Sequence, residues 1–224
     1  MLADLLQWFS DPLQWQGPDA IPARVVEHLY YVGVAMFWAL LIALPVGIGL
    51  GHLGRGGWLA INLSNIGRAI PEFGIVILVF MIAGFGNLPI LIALVALALP
   101  PLITNSYVGM RQVDADLVEA ARAMGLRRWQ CLLQVELPIA LPLIMAGLRT
   151  AAVQVMATAT LAAYVGLGGL GRYLIDGLAV RDMVGVVAGA LLVAALALAL
   201  EGALALLQRT LVSPALGQRV APSH

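Results

Sequence analysis

The chain has 224 residues, 62% of them hydrophobic and 11% charged, and its 12 basic residues (Lys+Arg) balance its 12 acidic ones. A soluble domain carries roughly 25% charged residues, so this composition, with a mean hydropathy of +0.96, is that of an integral membrane protein. Zero net charge removes the electrostatic support that nucleic-acid binding requires, and the length leaves room for several spans of about 20 residues but no soluble domain of ordinary size.

Every basic residue other than the histidines is arginine. A P-loop needs a lysine to reach the β and γ phosphates, so any ATP that drives this chain is bound by another polypeptide. The one cysteine, Cys131, has no partner for an internal disulfide or a metal cluster, and it reads as an apolar filler.

Residues 1–23 hold Trp8, Trp15, Asp4, Asp11, Asp19 and three prolines, without a basic start or a clean apolar run. They are not a signal peptide, and the tryptophans suit an interfacial lead-in on the outer side. A first span is expected over residues 25–50, with Pro45 inside it. Its Gly47 and Gly51 are spaced for close helix contact in lipid. His52 to Gly57 reads as a turn.

The second expected span, residues 58–83, is polar in its first half, with Asn62, Ser64, Asn65, Arg68 and Glu72 around Pro71. Such residues are costly in lipid and face a bundle interior or an aqueous cavity, which makes Asn62 and Asn65 candidates for a translocation path. The alternative places residues 58–70 at the cytoplasmic interface, where arginine can snorkel. Arg68 and Glu72, four apart, can pair on one helix face, although Pro71 disturbs that geometry.

Residues 84–89 read as a turn, and a third span follows over residues 90–108. Adjacent Pro100 and Pro101 are predicted to kink or break it. Asn105, just beyond, joins the candidate path. The long polar interval comes next, from Asp114 to Pro142. Asp116 is predicted to cap a helix reciprocally with Glu119, and Gly125 to end it in a left-handed conformation. Leu117, Ala120, Ala121 and Met124 then share one narrow face suited to docking in a groove.

The fourth span is expected over residues 139–165, and on it Thr150, Gln154 and Thr158 form a polar stripe with Arg149 beside its top. The stripe either faces a passage or bonds helices together. Residues 166–171 are glycine-rich without a strand before them, so they are not a dinucleotide fingerprint. They read as an outer turn leading through Arg172, Asp176, Arg181 and Asp182 to a last span, residues 183–207, with Gly185, Gly189 and Glu201. The histidines His28, His52 and His224 are scattered, and His28 and His52 read as interface residues rather than ligands. No metal site is expected.

With five spans, Arg55, Arg111, Arg122, Arg127, Arg128, Arg209 and Arg219 fall on one side, against Arg24, Arg172 and Arg181 on the other. The positive-inside rule then puts the polar loop and C-terminus in the cytoplasm and the N-terminus outside.

The residues Glu119-Ala120-Ala121, Gly125, and Leu137-Pro138 resemble the EAA loop of membrane subunits of ABC importers. The resemblance extends over most of the chain after residue 24. It sharpens in ELPIALPLIMAGLRTAAV and TATLAAYVGLGGLG, which are similar to the osmoprotectant branch that imports glycine betaine, carnitine and choline. It implies an all-α membrane fold with five transmembrane helices, like that of the methionine permease, comprising an interfacial segment (1–23), a permease domain (24–210, coupling loop 111–138) and a cytoplasmic tail (211–224). It also implies residence in the bacterial inner membrane and ATPase coupling through Glu119, Ala120, Ala121, Met124, Gly125, Leu137 and Pro138. The implied partners are a cytoplasmic ABC ATPase that holds ATP and Mg, an extracytoplasmic solute-binding protein, a second permease copy or paralogue, and lipid. No cofactor belongs to the chain itself. A methionine or other amino-acid importer is the alternative, and an intramembrane enzyme or a channel subunit a more distant one. Glu72, in AIPEFG, departs from the small or polar residue expected there.

Overall fold

The computed structural model describes residues 1–58, 62 and 69–212, and every regular element among them is helical. In chain order these are α1 (Leu2–Ser10), α2 (Ile21–His52), α3 (Glu72–Ala83), α4 (Asn87–Arg111), α5 (Ala115–Ala123), α6 (Arg128–Cys131), α7 (Leu137–Thr158), α8 (Gly171–Val180) and α9 (Met183–Leu211), with short 3-10 and π-helical stretches between some of them. Four stretches among the described residues are long and apolar enough to cross a membrane: Ile21–His52, Asn87–Arg111, Arg128–Val165 and Met183–Leu211. At about 1.5 Å per residue, the first of these reaches about 48 Å, more than the roughly 30 Å of a hydrocarbon core. The expected second span, residues 58–83, falls partly outside the described residues, and α3 is its described apolar part.

The chain folds as two compact units. One comprises Met1–Trp38, Ile70–Ala98 and Ala152–Leu200. Its buried side chains include Val76, Ile90, Leu94, Val155, Met156 and Leu170. The glycine-rich stretch lies against α2 here: the Gly169 N–H donates to Glu27 at 2.8 Å, and a Cβ at Gly168 would collide with the same carboxylate. Gly166 and Gly169 have φ of 85° and 93°, so this turn needs glycine both for backbone conformation and for close approach.

The other unit comprises Ala39–Ala69, Leu99–Ala151 and Glu201–His224. Met110, Ala140 and Ile144 form its buried cluster, with Leu44, Ile48, Val113, Leu132 and Leu137 packed against it. The Gly47 and Gly51 pair serves this packing. A Cβ at Gly47 would lie 2.7 Å from Cβ of Ser106 and 2.8 Å from the Ile103 carbonyl, and one at Gly51 would meet Met110.

Pro100 and Pro101 withhold the N–H groups that would bond the carbonyls of Ala96 and Leu97, and of the two expected outcomes, kink or break, the break does not occur: α4 runs through them. Two local expectations are corrected. Residues 172–180, expected as part of a turn, form α8, whose Arg172 and Asp176 pair one turn apart at 2.9 Å. His28 is buried inside α2, not interfacial, and its Nε2 lies 2.9 Å from the carbonyl of Met156. Since a carbonyl only accepts, that nitrogen carries the proton and His28 ties the two helices together.

Candidate functional site

Two places in the chain carry the polar groups from which a function can be argued. The first is the loop around α5. Its cap is Asp114, not Asp116: the Asp114 side chain accepts from the Asp116 N–H at 2.9 Å, so the reciprocal arrangement of Asp116 and Glu119 does not form. Asp114 is the residue with extended backbone (ψ 127°), and Asp116 instead lies in the first turn, where its charge favours the helix dipole.

The end of α5 follows expectation. Gly125 has φ of 93°, its N–H reaches Arg122 O at 2.9 Å, and the Leu126 N–H reaches back to Ala121 O at 3.2 Å. This pair of bonds is the Schellman closure, which satisfies carbonyls that the helix cannot. On the expected face, Leu117, Ala120 and Met124 are exposed, Met124 at 76%, while Ala121 is buried within the unit. Glu119 is exposed beside them. Trp129 and Leu133, which sequence reasoning did not single out, add exposed apolar surface just beyond the loop glycine.

Leu137 packs on the Met110, Ala140 and Ile144 cluster, and Pro138 is the second residue of α7. The preceding Leu132–Glu136 is π-helical, with the Leu137 N–H bonded to Leu132 O. Pro138 cannot donate to the carbonyl of Gln134 and its ring would press on it, and a widened turn relieves that clash. The π-helical stretch also turns Glu136 inward, where an oxygen of its buried carboxylate lies 2.6 Å from Nδ1 of His52 at the end of α2. Nothing in the spacing of residues 52 and 136 signals that pair. Cys131 is fully buried, as its reading as a filler requires.

The second place is at the start of α3. Glu72 accepts a hydrogen bond from Gln154 Nε2 at 2.9 Å on one oxygen and from the Thr158 hydroxyl on the other. Two members of the polar stripe thus converge on one carboxylate. The third, Thr150, donates to the carbonyl of Ala146 at 3.0 Å on its own helix. Asn105 likewise donates locally, to Pro101 O at 2.8 Å, and Asn62 to Trp58 O at 2.7 Å. Asn65 and the expected Arg68 pairing with Glu72 lie outside the described residues. Arg149 donates to Glu201 at 2.9 Å and to Gln208 at 3.0 Å, so the two span charges Arg149 and Glu201 neutralise each other.

Beside Glu72, Phe73 packs edge-to-face on Tyr164 with centroids 4.9 Å apart. Sequence reasoning found no aromatic box, because residues 73 and 164 are far apart in the chain. Among the described residues no group of three or more His, Cys, Asp or Glu converges as a metal site.

The family described as binding-protein-dependent transport system inner membrane component matches residues 31–213. Among curated proteins the chain is similar to the glycine betaine/carnitine/choline transport system permease protein OpuCB of Bacillus subtilis, at 32% identity over 88% of this chain and 90% of that one. It is 36% identical to the carnitine transport permease protein OpuCB of Listeria monocytogenes, over 85% and 87% of the two chains. With the osmoprotectant import permease protein OsmY of Salmonella typhimurium it shares 34% identity over 87% and 86%. Among solved structures, an inward-facing MetNI methionine ABC transporter matches with a TM-score of 0.74 over 91% of this chain and 100% of that one, at 24% identity. That likeness is one of fold.

Proposed function

The chain belongs to the family of binding-protein-dependent transport system inner membrane components and is a transport subunit, not an enzyme; from that premise we propose that it is the permease of an ATP-driven importer for osmoprotectant quaternary amines such as glycine betaine, carnitine or choline. The observation that carries the substrate class is the identity of 31–36% with osmoprotectant permeases along more than four-fifths of the chain. The methionine transporter supports the architecture alone.

The mechanism is alternating access in a dimer of permeases, since one chain with so few spans does not enclose a passage by itself. A cytoplasmic ATPase binds ATP and Mg, and an extracytoplasmic binding protein delivers the solute. The exposed Leu117, Ala120 and Met124, with Glu119 at their edge, form the surface offered to a cleft of the ATPase. The Schellman closure at Gly125 fixes where that surface ends. Docking drives transport because the cleft grips the helix differently in the ATP-bound and ATP-free states. The arginine bias supports a cytoplasmic loop and an outer N-terminus.

The test is uptake of labelled glycine betaine, choline and methionine in cells lacking their own importers, expressing this chain with its ATPase and binding protein. Quaternary-amine uptake that disappears with a hydrolysis-dead ATPase is the expected result. Methionine uptake alone would keep the importer and overturn the substrate class.

A further inference from the structure

Resting on that reading of the chain as a quaternary-amine permease, the geometry points to a charge-selective substrate site in which the Glu72 carboxylate, oriented by Gln154 and Thr158, receives the trimethylammonium group of a cationic solute such as choline. An ionisable side chain in a membrane protein's apolar region is retained at a cost and marks a solute or ion pathway unless it is paired. Among the described residues no basic side chain pairs with Glu72. Its contacts are the neutral donors Gln154 and Thr158, one on each oxygen. They orient the carboxylate without cancelling its charge.

That arrangement discriminates by chemistry. A quaternary ammonium has no N–H to donate, so it brings charge to the carboxylate without displacing Gln154 or Thr158. The aromatic pair adds the second element of such recognition. Phe73 and Tyr164 are 42% and 57% exposed, and the edge-to-face contact leaves open ring area on α3, which carries Glu72, and on the 3-10 stretch Ala159–Val165 that follows Thr158. A zwitterion such as glycine betaine presents its own carboxylate to Glu72 and gains less. The permease therefore ranks cationic above zwitterionic quaternary amines, a selection separate from that of any binding protein.

The experiment is ATP-driven uptake of labelled choline and glycine betaine into proteoliposomes holding the complete transporter, as wild type, Glu72→Gln and Glu72→Asp. Loss of one partner of a desolvated charge contact predicts that Glu72→Gln lowers choline uptake about ten-fold or more, relative to glycine betaine, while Glu72→Asp keeps the preference. An equal fall for both solutes in an assembled variant overturns the inference. So does recovery of choline uptake in Arg68→Gln/Glu72→Gln, which assigns Glu72 to a charge pair. Wild type that carries neither solute overturns the underlying substrate reading instead. Should Glu72→Gln fail to assemble, the wild-type permease–ATPase complex carries the test through calorimetric titration with tetramethylammonium. The expected result is saturable binding of the cation and none of a neutral tert-butyl analogue, and an equal response to both overturns the site.

Discussion

The α5 loop and the Glu72 hydrogen-bond cluster make opposite use of polar residues. In the loop, polar groups serve the backbone next to them: Asp114 caps two residues on, and Gly125 closes the helix within five residues. At Glu72 the partners lie 82 and 86 residues away, and the hydrogen bonds exist only because two helices meet. The contrast teaches what each region tolerates. A locally built device survives loss of its neighbours, whereas a cluster built across the chain fails when any member is removed.

Substitutions can break or sharpen this contrast, and the largest effect is expected at a third, buried polar contact of the long-range kind. His52→Ala leaves the Glu136 carboxylate buried without its partner 84 residues away, at a cost of about 3 kcal/mol, read as thermal unfolding of the purified protein. At the Glu72 cluster itself, Gln154→Leu strips one donor from Glu72 and is expected to cost about 2 kcal/mol. Thr150→Val on the same stripe stays within about 0.5 kcal/mol, because that hydroxyl only bonds its own helix. Equal losses at the two positions would show that the stripe, not the carboxylate, is the functional unit.

Smaller effects belong to the loop. Gly125→Val places a branched side chain at φ 93° in open space, so the cost is conformational, about 1–2 kcal/mol, with no clash. Uptake and substrate-stimulated ATPase activity are expected to fall together while the protein still assembles, and retained coupled uptake would detach the loop from energy transfer. Asp114→Ala costs about 1 kcal/mol of helix stability and Asp116→Ala less, since the second is not the cap. A larger loss at Asp116 would restore the arrangement expected from sequence.

What could be read in the sequence follows the same division. Four of the five expected spans, the left-handed Gly125 and the close-contact role of Gly47 and Gly51 were legible because each depends on residues within a turn or on composition alone. The cap was misplaced by two residues because Asp114 and Asp116 are both competent N-caps, and only the backbone at Asp114 decides between them. Whether Pro100 and Pro101 break α4 or leave it continuous was not legible, because packing can hold a segment helical after local hydrogen bonds are withdrawn.

The sequence by itself therefore determined a helical membrane subunit with the EAA pattern, since hydropathy, spacing and turn residues act over a few positions along one helix. Only tertiary structure decided which polar residues act together: Glu72 with Gln154 and Thr158, Glu136 with His52, and Arg149 with Glu201. The physical reason is that a buried hydrogen bond is specified by the register and rotation of two packed helices, and neither quantity is encoded in the periodicity of either one alone.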